Sequence, residues 1–548
     1  MIKSRLFVLI VFLVSVSHQS FAQKGEIHGS FQTDAQYYRE DSVIGAPDVP
    51  EQSGIDGFLN LIYTNKDFEA GIRYELYLPP VQGKDPRLEG HGFANRYVKY
   101  TVKELEMTAG SFYEQFGNGL ILRTYEEWNL GYDNAFDGFR VKYKPSRGVA
   151  IKALYGRQRY FWDWSPGIVR GADAEFSLNE MIGGKFYDNP NKIIFGASAV
   201  SKFQDDRDPV YKLPENVASF AGRAGISNGK ISLNGEYAYK INDPSAVNNL
   251  IYKNGEALIL NAAYSRKGLG VMLSAKRIDN MNFRSDRTAT GNALMINYLP
   301  TITMQHSYSL AAMYPYATQP NGEMGVQGQV MYTIKKNTPL GGKYGTKISL
   351  HYAIATSIER QQVNDTIAIG QAGTDGYRSD FFALGDEKYF EDFNVQISKK
   401  FHKDFKASFL YTYINYNIDV IEGHVGEGMV YAHVGIGDFT YKLSAKKAIR
   451  LELQHLYTEQ DEKSWAMALA EFSISPKWFF AIGDQYNYGN EIKAKQLHYY
   501  TASMGFTKGT NRISLTYGRQ REGIICVGGV CRNVPASNGI AITISSSF

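Results

Sequence analysis

Cysteine is almost missing from this sequence. Two in 548 residues are too few for a disulfide-built scaffold or a thiolate metal cluster. Long apolar runs are missing as well: none approaches the roughly 20 residues that a membrane-spanning helix requires, which excludes a helical membrane protein. An excess of one charge is lacking too. Lys and Arg number 59 against 55 Asp and Glu, and discounting Lys3 and Arg5 of a removable leader leaves 57 against 55, or +2. That balance creates no field to draw nucleic acid. The patterns HExxH and GxSxG and a P-loop do not occur. The glycine-rich stretch Gly423–Gly428 falls between strand-like segments and reads as a loop. The ten histidines are scattered. The chain therefore reads as a non-enzyme, with no catalytic residue, cofactor or metal.

What is abundant is aromatic and small. Aromatics reach 14%, with 39 Tyr, 31 Phe and 53 Gly, while charged residues stop at 21%. This suits a chain whose strands face two different solvents. The first residues, Met-Ile-Lys-Ser-Arg, then the apolar run Leu6–Val14 and Ser20-Phe21-Ala22, have the layout of a secretory signal peptide over 1–22. Export lets the two cysteines sit in an oxidising compartment.

Strict alternation recurs through the rest. Ile348, Leu350, Tyr352 and Ile354 alternate with Lys347, Ser349 and His351; Ile449, Leu451 and Leu453 alternate with Arg450, Glu452 and Gln454. Such strands carry one apolar and one polar face. A soluble sandwich could show the same, so the connections decide. Tight turns at Asn65-Lys66, Lys103-Glu104, Pro145–Gly148, Ser227–Gly229, Arg266–Gly268, Pro476-Lys477 and Lys508–Thr510 alternate with long polar links, such as 204–216, 242–256 and 359–387. Outer-membrane barrels have short periplasmic turns and longer extracellular loops. The expectation is one large antiparallel transmembrane β-barrel over 23–548 with both termini periplasmic. It would have about 26 strands, in a range of roughly 22 to 26, leaving few residues for a separate soluble domain or an N-terminal plug. The chain ends with Ile540, Ile542, Ile544, Ser546 and Phe548 on one face. Phe548 resembles the terminal signal that barrels present to their insertion machinery.

Cys526 and Cys531 flank Val527-Gly528-Gly529-Val530. A two-residue turn at the glycines puts the cysteines opposite each other, within disulfide reach; a metal or redox site would need further ligands. The dense run 112–138 either folds inward, with Arg123, Glu126 and Glu127 lining a constriction, or caps the barrel outside. The patch Gln158–Trp164 reads as an interfacial girdle or, less simply, a sugar platform. Tyr155–Arg159 recurs as Tyr517–Arg521, through duplicated hairpins or paired basic sites for anionic lipid. Arg73, Glu75, Lys99, Arg450 and Glu452 fall on polar faces and would line a hydrated, weakly selective lumen.

The stretches Phe112–Gly138 (FYEQFGNGLILRTYEEW…LGYDNAFDG) and Tyr517–Phe548 (YGRQREGIICVGGVCRNVPASNG…SSSF) resemble an uncharacterised family of outer-membrane β-barrels from the Bacteroidota. The resemblance implies an outer-membrane location and a barrel fold, and brings no catalytic residues. A weaker likeness to alginate-export-type porins rests on architecture alone. Two functions fit: a pore for polar solutes or a polymer, or a non-conducting subunit of an outer-membrane assembly or secretion complex. The expected partners are outer-membrane lipid, the insertion machinery and other envelope proteins, with no nucleic acid.

Overall fold

The computed structural model describes residues 25–527 and 530–548; the expected leader over 1–22 and the Gly528-Gly529 turn lie outside them. Twenty-four antiparallel strands form one sheet closed on itself. The first strand, Glu26–Tyr38, pairs on one edge with Ser53–Asn65 and on the other with the last strand, Ser537–Ser547. Closure removes the unpaired edges that an open sheet of this size would expose. At the terminal seam Gly29 and Phe548 exchange two backbone hydrogen bonds of 2.9 Å. The tip of the Phe548 ring lies against Gly29, where a β-carbon would sit 2.3 Å from it. Further along the seam, Gly539 has φ +155°, and a β-carbon there would fall 1.9 Å from the Tyr37 carbonyl oxygen. Only glycine lets the first and last strands approach so closely.

The alternation read from the sequence becomes two faces of one wall. On Lys447–Tyr457, Ile449, Leu451 and Leu453 are exposed on the outside, while Glu452 and Gln454 are buried inside. Exposed Ile, Leu, Val, Phe and Tyr recur outward on strand after strand, including Ile540, Ile542 and Ile544. So large a contiguous apolar exterior marks a surface made for a non-aqueous neighbour.

The barrel has two strands fewer than the expected 26. The segment after Asp163–Ser177 turns into two short helices, Leu178–Ile182 and Gly184–Tyr187. Gly523–Val527 and Val530–Val534 pair only with each other, in a separate ribbon. Residues 280–322 contribute no wall strand at all. Loop lengths follow the expected parity with two kinds of exception. Tyr160 and Asp163 are joined by the two-residue turn Phe161-Trp162 at the long-loop end, and 178–191 and 335–345 are longer links at the end holding the termini.

The barrel contains a plug formed by two of its own internal segments. Residues 113–135 and 280–322 touch strands on opposite sides, which they can reach only through the interior. Phe116, Leu120, Ile121 and Leu122, with Met281, Phe283 and Ile296, pack on inward residues of the wall from Phe136 to Ile278, such as Leu154, Val200, Ala238 and Ile259. Leu310, Ala311, Met313, Tyr314 and Tyr316 pack instead on the wall from Ala355 to Trp465, through Phe390, Ile414, Val434 and Leu456. Residues 280–322 thus cross the lumen as a strap. Each fully buried side chain of Leu or Phe size contributes about 1.5–3 kcal/mol, so the strap is fixed by apolar burial at both of its ends.

Candidate functional site

The inner layer is held by charge at its centre. Glu126 and Asp133 belong to the long loop; Arg73 and Glu75 project inward from Phe68–Tyr77, and Arg159 comes from Val149–Tyr160. Arg73 binds Glu75 at 2.6 Å and also contacts Glu126 and Asp133. Arg159 reaches Glu75 and Asp133, each at 2.7 Å. The Tyr113 hydroxyl lies 2.9 Å from Glu126 and 3.0 Å from Asp133. Burial alone would raise the Asp133 carboxyl; the Arg159 and Arg73 guanidiniums outweigh it and hold the group below its ordinary value of 3.8. Trp128 stacks on Phe58 at 4.5 Å between centroids, which sets the loop on the wall. Charged groups this deep persist only when paired and hydrogen-bonded.

The strap and the loop are joined to each other. Arg123 N–H donates to Ile296 O and Tyr298 N–H to Gly119 O, both at 2.9 Å; Asn297 bridges Leu120 O and Met281 O. Lys276 donates to Pro300 O at 2.8 Å and pairs with Glu323 at 2.7 Å. Across the lumen His306 meets Asp392 at 2.9 Å. Tyr308 donates to Asp438 at 3.2 Å, and Tyr314 to Asp461 at 3.0 Å. The Gln454 side chain accepts from Leu310 N–H at 2.9 Å. Most of these bonds link residues more than 40 positions apart in sequence.

Nearer the termini the inward groups stay partly exposed and mixed in sign. Lys99 pairs with Glu69 at 2.8 Å. Arg450 pairs with Asp438 at 3.0 Å and Glu471 at 2.8 Å, and also contacts Glu452. Arg140 pairs with Glu106 at 2.9 Å. Of the residues singled out from the sequence, Arg73, Glu75 and Glu126 come together in one network, and Arg450 and Glu452 in a second. Arg123 and Glu127 join neither. Arg123 lies over the ring of Tyr298, at 4.0 Å, and Glu127 accepts from Asn129 N–H to cap a single turn. Sequence reasoning missed Asp133, Tyr113 and Arg159 as network members, and the whole strap. Asp133 and Arg159 did stand inside runs already marked as unusually rich in aromatic and polar groups.

Cys526 and Cys531 form the expected disulfide, with Cα atoms 4.1 Å apart. Their ribbon bears on the strap: Asn292 donates to Cys531 O at 2.7 Å and Gln305 to Cys526 O at 2.9 Å. The patch 158–164 fastens a loop, with Trp162 donating to Leu88 O at 2.8 Å and Arg87 stacked 4.4 Å from Phe161. The two repeated motifs also turn inward in part: Arg159 enters the network, and Arg519 pairs with Asp41 at 2.7 Å.

A cavity of about 650 Å³ lies between the strap and the seam wall, with the disulfide ribbon over it. Gln36, Thr303, Ser309, Gln485, Thr501 and Thr516 supply amides and hydroxyls to its lining. Among the described residues no three His, Cys, Asp or Glu side chains are grouped to hold a metal ion, and no helix is long and apolar enough to cross a membrane.

The geometry defines a closed 24-stranded β-barrel with an internal plug. Over residues 1–548 the chain belongs to DUF6029, described as a family of unknown function. No match was found among curated proteins. Among solved structures it is similar to the translocation pore of the P pilus usher PapC, at 9% identity and TM-score 0.44, covering 95% of this chain and 99% of that one. It is similar also to the copper transporter OprC, at 8% identity and TM-score 0.38, covering 97% and 82%. A third is OccK3 (OpdO) of Pseudomonas aeruginosa, at 9% identity and TM-score 0.31, covering 95% and 96%.

Proposed function

We propose that this protein is an exported outer-membrane barrel, with its termini in the periplasm, that conducts polar solutes through a narrow passage beside a built-in plug. The apolar exterior takes lipid, and the short turns fall on the periplasmic side, as loop parity requires. Phe548 is the group offered to the insertion machinery. One observation carries the pore reading: the strap leaves a cavity of about 650 Å³ against the seam wall, where the amides and hydroxyls of Gln36, Thr303, Gln485 and Thr516 stand among apolar side chains such as Met304 and Phe390. No catalytic step is assigned.

Planar-bilayer recording of the purified protein tests this. The expected result is small conductance steps, and steps several-fold larger when 281–321 is replaced by a short Gly-Ser linker. Silence from both forms overturns the pore. The second reading, a non-conducting subunit of an envelope assembly, draws on the apolar clusters that fix the strap at both ends. Silence together with stable co-purification of envelope proteins would establish it.

A further inference from the structure

The cavity beside the strap has an uneven charge arrangement. Two arginines of the second repeat motif, Arg519 and Arg521, both line it. Arg519 is neutralised by Asp41 at 2.7 Å, and Asn538 also donates to that carboxylate, at 2.8 Å. Arg521 has, among the described residues, no carboxylate in ion-pair contact. Its guanidinium donates to the backbone oxygen of Glu522 at 3.0 Å, its one hydrogen bond among the described residues, and the Asp461 and Glu462 carboxylates act on it only through space. Glu522 lines the same cavity with an exposed side chain and does not pair with it. Tyr314 and Tyr499 flank the space, and the Tyr314 hydroxyl is already committed to Asp461.

The remaining lining mixes hydrogen-bonding groups with apolar side chains, among them Met304, Pro315 and Phe390, and its one histidine, His306, is already paired with Asp392. Thr501 and Thr516 come from neighbouring strands, Gln36 from the first strand, and Thr303 and Ser309 from the strap. From Gln520 down to Thr516 the lining runs roughly 13 Å along the wall, at about 3.3 Å per residue. A volume of 650 Å³ falls in the range of about 300–1,000 Å³ typical of small-ligand sites. Such a mixed wall suits a sugar ring, which offers hydroxyls to the polar groups and C–H faces to the apolar ones, and the guanidinium without an ion pair suits one carboxylate or phosphate on it.

We propose that this cavity is a binding site for a hydroxyl-rich solute of mono- to disaccharide size that carries one anionic group, held by Arg521. The proposal deepens the pore reading by naming the class of solute that pauses in the passage. Its test is equilibrium binding, which does not depend on conduction.

Calorimetric titration of the full-length protein in detergent, with glucose 6-phosphate, glucuronate, glucose and inorganic phosphate, provides that test. At least one of the two acidic sugars is expected to bind about tenfold or more tighter than glucose, the usual scale of a hydrogen bond to a charged group. Which of the two binds tells a phosphate from a carboxylate. Arg521→Gln should abolish that preference and leave glucose binding unchanged. Thr516→Val, which leaves all charge in place, should weaken sugar binding and spare the preference for the acid. Equal binding of glucose and both acids, or an intact preference in Arg521→Gln, overturns the site. Inorganic phosphate binding as tightly as the acidic sugars overturns the role given to the hydroxyl-lined wall. Bilayer silence with binding intact would overturn the pore and leave the site standing; conduction without binding would do the reverse.

Discussion

At the scale of single residues, Asp133 is the informative one. Its carboxyl sits below its ordinary value of 3.8 because two guanidiniums outweigh the cost of burial. A depressed carboxyl contributes stability that is full above the unfolded value and is lost as pH falls through the folded one. Asp133→Asn should therefore destabilise the protein at neutral pH by about 3 kcal/mol, the scale of breaking a buried pair. The gap to wild type should hold steady from pH 8 to 5 and shrink below about pH 4. Melting followed by tryptophan fluorescence across that series is the check; a gap that widens in acid would refute the assignment. Arg73, Glu75 and Glu126 could be picked from the sequence because strand phase and local density marked them. Their convergence with Asp133 and Arg159 could not, since residues 73, 126, 133 and 159 share no local period.

At the scale of elements, the disulfide ribbon Gly523–Val534 is separate from the wall sheet, yet it accepts hydrogen bonds from Asn292 and Gln305 of the strap. A loop this short gains only about 2 kcal/mol from its cross-link. Replacing both cysteines by serine should thus leave the heat-resistant mobility of the barrel on gels unchanged while cleavage within 280–322 by added protease speeds up. A lowered barrel melting point with an unaltered cleavage rate would show that the ribbon supports the wall and not the strap. The pairing of the two cysteines was legible, because a two-residue turn fixes which positions face each other. The strap was not. Its apolar residues serve two walls, Met281, Phe283 and Ile296 one and Leu310, Met313 and Tyr316 the other, so no single period runs through the segment and it looks like loop.

At the scale of the whole molecule, the closed antiparallel sheet was legible from alternation and loop parity together. The strand number came out two high, because alternation and turn spacing count strands without showing which of them join the wall, and the ribbon's two do not. The orientation makes its own prediction. Protease added to whole cells should cut within 359–383 and spare the Lys66-Asp67 and Lys103-Glu104 turns, which should become cleavable only after the outer membrane is opened. Cutting of those turns in intact cells, with 359–383 untouched, would invert the barrel. The mixed-sign inner surface near the termini also predicts weak ion preference; reversal potentials under a salt gradient should lie near zero.

The seam between the first and last strands sets an order of events. Strap and wall belong to one chain, and both ends of 280–322 continue into adjacent strands of the cylinder. Had the cylinder already sealed, this segment would have to thread back in through a mouth while dragging two wall attachments behind it. The contact between Gly29 and Phe548, joining residues from opposite ends of the sequence, is therefore the last to form. The topology thus predicts biogenesis by wrapping, with the interior laid down first and the cylinder zipped shut around it.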